Sequence, residues 1–204
     1  MTIRIVIADD QALVRGALAS LLDLESDFEV VGQTGRGDEV LALVQETGAD
    51  VALLDVEMPG LDGLSVARQL TESGSPCRSL IVTTFGRPGY LRRSLEAGAS
   101  GFIVKDTPSD QLADAVRRVA AGLRVVDPAL ATESLVTGDS PLSARETDVL
   151  LSLRTEGRIA DVAAALHLSE GTVRNHLSSA IGKTGARNGG EAVRIAADNG
   201  WLLG

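Results

Sequence analysis

Short apolar runs recur through the first part of the chain at residues 3–8, 28–32, 50–54, 79–83 and 101–104, rich in Ile, Val and Leu. A strand that buries one face alternates, whereas an unbroken run buries both, so these segments predict parallel strands covered on either side. Segments with helical spacing separate them, at residues 12–24, 37–47, 63–73, 88–97 and 108–121. Strand then helix, five times, predicts an α/β domain with a doubly wound parallel sheet of five strands over residues 1–121. Thr107-Pro108 with Asp110 offers the last helix a capping hydroxyl, a first-turn proline and an acid near the dipole's positive end. Residues 122–140 carry Gly122, Pro128, Gly138, Asp139 and Ser140 ahead of Pro141 and read as a linker, with a short helix around 129–135.

From 141 to 204 the spacing is helical throughout. Ser143 and Glu146 form an S-x-x-E capping signal ahead of Thr147-Asp148-Val149-Leu150-Leu151-Ser152-Leu153. A second helix is expected over 159–166, a third from the Ser169 cap over 170–184, and a fourth over 190–199. Two short helices, a tight turn and a third helix rich in small and polar residues predict an all-α, four-helix domain of helix-turn-helix type.

The chemistry gathers where the strands end. The first run ends in Asp9-Asp10, the third in Asp55, the fourth in Thr83-Thr84 and the fifth in Lys105. Open doubly wound sheets bind ligands beyond the carboxyl ends of their strands, where these residues fall. Three carboxylates so placed repel one another unless a divalent cation or an ammonium neutralises them. One Asp after a strand is commonly a cap, and one Lys is commonly a solvated charge. Their order and placement together make a site. The chain has two lysines against seventeen arginines, and one of the two stands here.

This constellation resembles the receiver domain of bacterial response regulators, which has a flavodoxin-like sheet of order 2-1-3-4-5. The resemblance implies that Asp55 accepts a phosphoryl group from a sensor histidine kinase. It implies that Mg²⁺ is held by Asp10, Asp55 and the backbone carbonyl of Glu57, with Asp9 acting through water. It further implies that Thr83 and Lys105 contact the transferred group and that Phe102 changes rotamer with Thr83. Asp55-Val56-Glu57-Met58-Pro59 and the segment Thr83 to Tyr90 look similar to the subgroup typified by the regulator of membrane lipid desaturation in Gram-positive bacteria.

The second domain resembles the LuxR-type output domain of NarL/FixJ regulators. The resemblance rests on Leu142-Ser143-Ala144-Arg145-Glu146, Val162-Ala163-Ala164-Ala165-Leu166-His167-Leu168-Ser169, Gly171-Thr172-Val173-Arg174-Asn175-His176 and Glu191-Ala192-Val193. It implies that Thr172, Arg174, Asn175 and Ser178 face the major groove of promoter DNA while Lys183 and Arg187 reach phosphates. Val173, Leu177 and Ile181 have the spacing of the buried face. Arg158-Ile159-Ala160-Asp161, Thr184 and Gly189 depart from the family pattern, so modest affinity per subunit is expected. His167 and His176 lack suitably spaced partners for a metal.

Charge divides the chain as the patterns do. The formal net charge is −9, with 19 acidic and 12 basic side chains in residues 1–128 and seven of each in residues 141–204. Bulk acidity argues against nucleic acid, and the neutral second part escapes that argument. Residues 169–187 carry Arg174, Lys183 and Arg187 against Glu170 alone. So few cations make DNA binding depend on a homodimer engaging two half-sites. The first helix has more apolar positions than one buried stripe needs, so Leu13, Val14 and Leu18, with Tyr90 and Leu91 on the fourth, are the expected dimer surface. Cys77 is the single cysteine, which points to a reducing compartment. No run approaches about 18 apolar residues, so a soluble, cytoplasmic protein without membrane insertion is expected.

The reading is a transcriptional response regulator, not an enzyme, whose dimerisation and promoter binding follow phosphorylation of Asp55. A phosphorylation-independent DNA-binding regulator is the alternative. A haloacid dehalogenase-like phosphatase would need Asp two residues after the nucleophile, where this chain has Glu57.

Overall fold

The apolar runs become strands β1 (Ile3–Ala8), β2 (Phe28–Thr34), β3 (Val51–Leu54), β4 (Arg78–Thr83) and β5 (Gly101–Val104) in a computed structural model. It describes residues 2–84, 88–127, 131 and 140–202. All strands pair in parallel, in the order β2-β1-β3-β4-β5-β6. The expected order holds, with one strand more. β6 is only Val125–Val126, hydrogen-bonded to β5 in the stretch read as linker. Two residues are too few to show a period.

The connecting helices are α1 (Ala12–Leu22), α2 (Val40–Thr47), α3 (Gly63–Glu72), α4 (Pro88–Glu96) and α5 (Ser109–Ala120). On one face of the sheet, Ile5, Ile7, Leu53, Leu80, Val82 and Ile103 pack with Ala19 and Leu22 of α1 and Leu112, Val116 and Val119 of α5. Alternation sends Val6, Ala52, Leu54, Ile81 and Phe102 to the other face, where they are equally buried. Both faces are covered, which is what the unbroken runs required. Several ends shift by one or two residues, and two helix starts differ in kind. Gly37–Glu39 forms a single 3₁₀ turn ahead of α2, and α5 begins after Pro108, which occupies the N-cap without a side-chain cap bond. The short helix expected at 129–135 lies outside the described residues apart from Ala131, whose N–H donates to the Asp127 carbonyl.

A second unit is built from α6 (Ala144–Glu156), α7 (Ile159–Ala165), α8 (Glu170–Thr184) and α9 (Gly189–Asp198). Each α6, α8 and α9 start is capped by a side-chain oxygen, from Ser143, Ser169 and Asn188 in turn. The capping box of Ser143 and Glu146 is present as expected. Val149, Val162, Ala163 and Val173 join α6, α7 and α8 in one apolar cluster, and Leu150, Ala180, Ala192 and Ala196 join α6, α8 and α9 in another. His167 takes a left-handed backbone, φ 54°, in the turn between α7 and α8. Among the described residues no helix is long and apolar enough to cross a membrane.

Candidate functional site

Strand register assembles the first site. Ala8 pairs with Leu54, Leu54 with Ile81 and Thr83 with Val104, so the residues that follow leave the sheet side by side. Backbone bonds extend past the strand ends: Asp55 N–H donates to the Ala8 carbonyl at 2.8 Å and Lys105 N–H to the Thr83 carbonyl at 2.7 Å. Asp9, Asp10 and Asp55 each bring a carboxylate oxygen to within 4.8 Å of the others, with Asp9 and Asp55 buried and Asp10 exposed. Asp9 Oδ1 accepts from the Gln11 N–H and Asp55 Oδ1 from the Val56 N–H, which leaves the Oδ2 atoms to the shared space.

Lys105 enters that space from β5, its Nζ 2.7 Å from Asp9 Oδ2 and 3.1 Å from Asp55 Oδ2. Among the described residues the buried ammonium has no partner at hydrogen-bonding angles, so these are charge contacts rather than aligned hydrogen bonds. Burial holds the Asp55 carboxyl above its ordinary pKa even against the nearby ammonium. Burial pulls the Lys105 pKa down, and the two carboxylates outweigh it, leaving the net shift upward. One ammonium among three carboxylates leaves an all-oxygen donor set with an excess of negative charge. That set fits a hard divalent cation such as Mg²⁺. The Glu57 side chain is exposed and stands outside the carboxylate cluster, so only its backbone is in question as a ligand.

Thr83 is buried at the end of β4, and Phe102, fully buried on β5, lies opposite Ile81 on the same face of the sheet as Thr83. Arg15 had not been singled out from the sequence. Its Nη1 donates to the Asp9 carbonyl at 2.6 Å and so ties α1 to the end of β1. Gly63, in the Asp62-Gly63 pair that follows Asp55 in the sequence, packs against the Asp55 carbonyl more closely than any Cβ allows.

Of the expected dimer residues, Leu13 is 87% exposed, Val14 and Leu18 are half-buried, and Tyr90 and Leu91 are buried. The last two present no area to a second copy in this conformation. The outward apolar surface lies on α1, where Leu13, Ala17 and Leu21 share one helix face and exposed Leu24 follows the helix end.

In the helical unit, Val173 is fully buried and Leu177 and Ile181 pack inward, so the opposite face of α8 presents Arg174, Asn175 and Ser178 to solvent, with Thr172 half-buried at its edge. Each cation expected at DNA already has a carboxylate partner. Arg174 Nη2 donates to Glu170 Oε2 at 2.7 Å, and Arg187 is paired through Nε and Nη2 with Glu191, both at 3.0 Å. Lys183 Nζ lies 2.8 Å from Glu146 Oε2. Glu146 is buried and also accepts from the Ser143 N–H and the Ser179 hydroxyl.

Comparison with known proteins identifies both parts of the chain by family. Residues 5–117 match the response regulator receiver domain family, and residues 140–196 match the luxR family of bacterial regulatory proteins. The transcriptional regulatory protein DesR of Bacillus subtilis (strain 168) is 41% identical over 200 residues, covering 98% of this chain and 99% of that one. The uncharacterized transcriptional regulatory protein YvfU of the same strain is 43% identical, covering 98% and 100%. Among solved structures, the response regulator ChrA of a heme-sensing two-component system is 34% identical, with a TM-score of 0.60 and 99% of each chain covered. Receiver sheet, acidic pocket and helix-turn-helix thus coincide in one chain, which belongs to the NarL/FixJ family of DNA-binding, two-component transcriptional response regulators.

Proposed function

We propose that Asp55 is the phosphoacceptor of a sensor histidine kinase and that its phosphorylation drives dimerisation and promoter binding. The observation that carries this is the convergence of Asp9, Asp10, Asp55 and Lys105 at adjacent strand ends. Asp55 Oδ2 faces the shared space beside Lys105 while Oδ1 accepts from the Val56 N–H, so Oδ2 is the oxygen placed to attack. Asp10, Asp55 and the Glu57 carbonyl would hold Mg²⁺, with Asp9 acting through water, and the ion when bound neutralises the carboxylates and the oxygens of the incoming group. Lys105 holds its charge beside Asp55 throughout and is placed to pair with a transferred phosphoryl oxygen. A phosphoryl group adds roughly two negative charges in this space, and the Thr83 hydroxyl is the donor that moves toward them. That motion vacates room on the face of the sheet where Phe102 is packed, and the Phe102 ring follows.

In this reading the receiver runs from residue 1 through β6 at residue 126, five residues beyond the boundary expected at 121, with 127–140 the joining segment and 141–204 the DNA-binding domain. The exposed stripe of Leu13, Ala17 and Leu21 supplies the self-complementary surface. Thr172, Arg174, Asn175 and Ser178 read base edges, and Lys183 and Arg187 approach phosphates.

The phosphoacceptor assignment is tested by intact-mass measurement after incubation with Mg²⁺ and a small phosphodonor. Wild type gains one phosphoryl group, and Asp55→Asn gains none. Equal uptake by both proteins, or uptake by neither, overturns the assignment.

A further inference from the structure

The three cations on the DNA-facing side are paired in physically different ways, and the difference singles out Glu170. Glu146 is a buried carboxylate that caps α6 and holds the partly exposed Lys183 from another helix, so that pair fastens α8 to α6. Glu191 is largely covered and accepts from the Arg187 backbone as well as its side chain, so it orders the turn into α9. Glu170 does neither. It and Arg174 are both exposed, and their contact is the only bond the structure gives either side chain among the described residues.

A carboxylate in the first turn of a recognition helix sits at the end that enters the groove, where it meets phosphates of like charge. It therefore lowers affinity unless it does something there. Helical side chains lean toward the N-terminus, so the Arg174 guanidinium lies back over the turn that carries Glu170. Glu four residues ahead of the cation is the favourable orientation for such a pair. Only Nη2 is engaged, at 2.7 Å, and the other N–H groups of the fork remain for a bidentate contact with a guanine edge.

We propose that Glu170 is a positioning residue for sequence readout: it fixes the Arg174 guanidinium in the orientation that reads one base pair and gives up affinity to gain discrimination. The proposal rests on the groove-facing assignment of Arg174. Removal of the carboxylate thus has two effects of opposite sign. Glu170→Ala binds random-sequence duplex severalfold more tightly, because one like charge leaves the phosphate surface. It also loses roughly tenfold of discrimination at the base pair Arg174 reads, within the range for one bidentate contact.

The experiment selects a randomised duplex library with beryllofluoride-treated wild type, Glu170→Ala, Arg174→Ala and the double variant, with helicity checked by circular dichroism. Wild type enriches a motif in which one G·C pair is lost with Arg174→Ala. Glu170→Ala loses preference at that same pair and keeps the rest, and the double variant matches Arg174→Ala. If Glu170→Ala retains wild-type preference at every position, Glu170 has no positioning role. If instead Arg174→Ala leaves the wild-type motif intact, the groove-facing assignment of Arg174 fails, and this proposal fails with it.

Discussion

Replacing Gly63 with alanine is expected to slow phosphoryl uptake at Asp55 about a hundredfold, the usual consequence of displacing a reacting group by roughly 1 Å. A Cβ at Gly63 would lie 2.0 Å from the Asp55 carbonyl oxygen, and no Cβ approaches a backbone atom so closely. The strain cannot be taken up by a rotating side chain. Asp55 is held from the other side by its N–H on the Ala8 carbonyl, and Gly63 is fixed at the head of α3, where its own N–H donates to the Val56 carbonyl and Asp62 caps the helix through the Ser65 N–H. Either the phosphoacceptor or α3 must move. Overpacking of this kind destabilises by about 1–3 kcal/mol. Gly16→Ala on α1 is the control, since nothing lies within 4 Å of a Cβ there, and it is expected to stabilise by about 0.5–1 kcal/mol. Uptake rates from a small phosphodonor, alongside denaturant midpoints, test the contrast. Wild-type uptake by Gly63→Ala contradicts it.

The second large effect is expected at Glu146. Its carboxylate is buried and accepts from the Ser143 N–H at 2.7 Å, the Ser179 hydroxyl at 2.7 Å and Lys183 at 2.8 Å. Burial alone raises its pKa, but the Lys183 and Ser143 bonds prevail and bring it down to about 2. Glu146→Ala removes one side of the capping box and leaves an ammonium and a hydroxyl without their acceptor. The expected loss is about 3 kcal/mol, the low end for breaking a buried pair because Lys183 is partly exposed. In so small a helical unit that is a large share of the total stability. Because the folded pKa is depressed, the stabilisation from ionised Glu146 is complete above its ordinary value of 4.5 and is lost as pH falls toward 2. The stability difference between wild type and Glu146→Gln should shrink across that interval. Denaturation followed by circular dichroism from neutral to acid pH measures it, and a neutral-pH loss under about 0.5 kcal/mol, the range of surface substitutions, would show the network to be weak.

These two residues mark where the sequence was legible and where it was not. The strands were readable because burial on both faces leaves no room for polar residues, and Asp9, Asp55, Thr83 and Lys105 were readable because each terminates such a run. The pairing of the strands bears out the expected order. Glu146 was readable only as a local cap three residues from Ser143, since its partners Ser179 and Lys183 stand 33 and 37 residues away. Gly63 was visible only as a turn glycine after Asp62, because its contact with the Asp55 carbonyl is a close approach made in space. Tyr90 and Leu91 stood out as apolar residues opening a helix, but a pattern does not tell an apolar residue that is covered from one that is not, and both are buried. β6 was missed because two residues of strand are held by pairing to β5 and by no periodicity of their own.

In the proposed switch, charge added at Asp55 is converted into self-association and DNA binding. The most direct measurement is sedimentation of wild type and Asp55→Ala with Mg²⁺, with and without beryllofluoride, alone and with the selected duplex. Beryllofluoride is expected to turn wild type from monomer to dimer and to tighten its duplex binding, and to do neither to Asp55→Ala. Identical association and DNA binding by the two proteins, with or without beryllofluoride, would contradict it and leave a regulator whose DNA binding does not depend on phosphorylation.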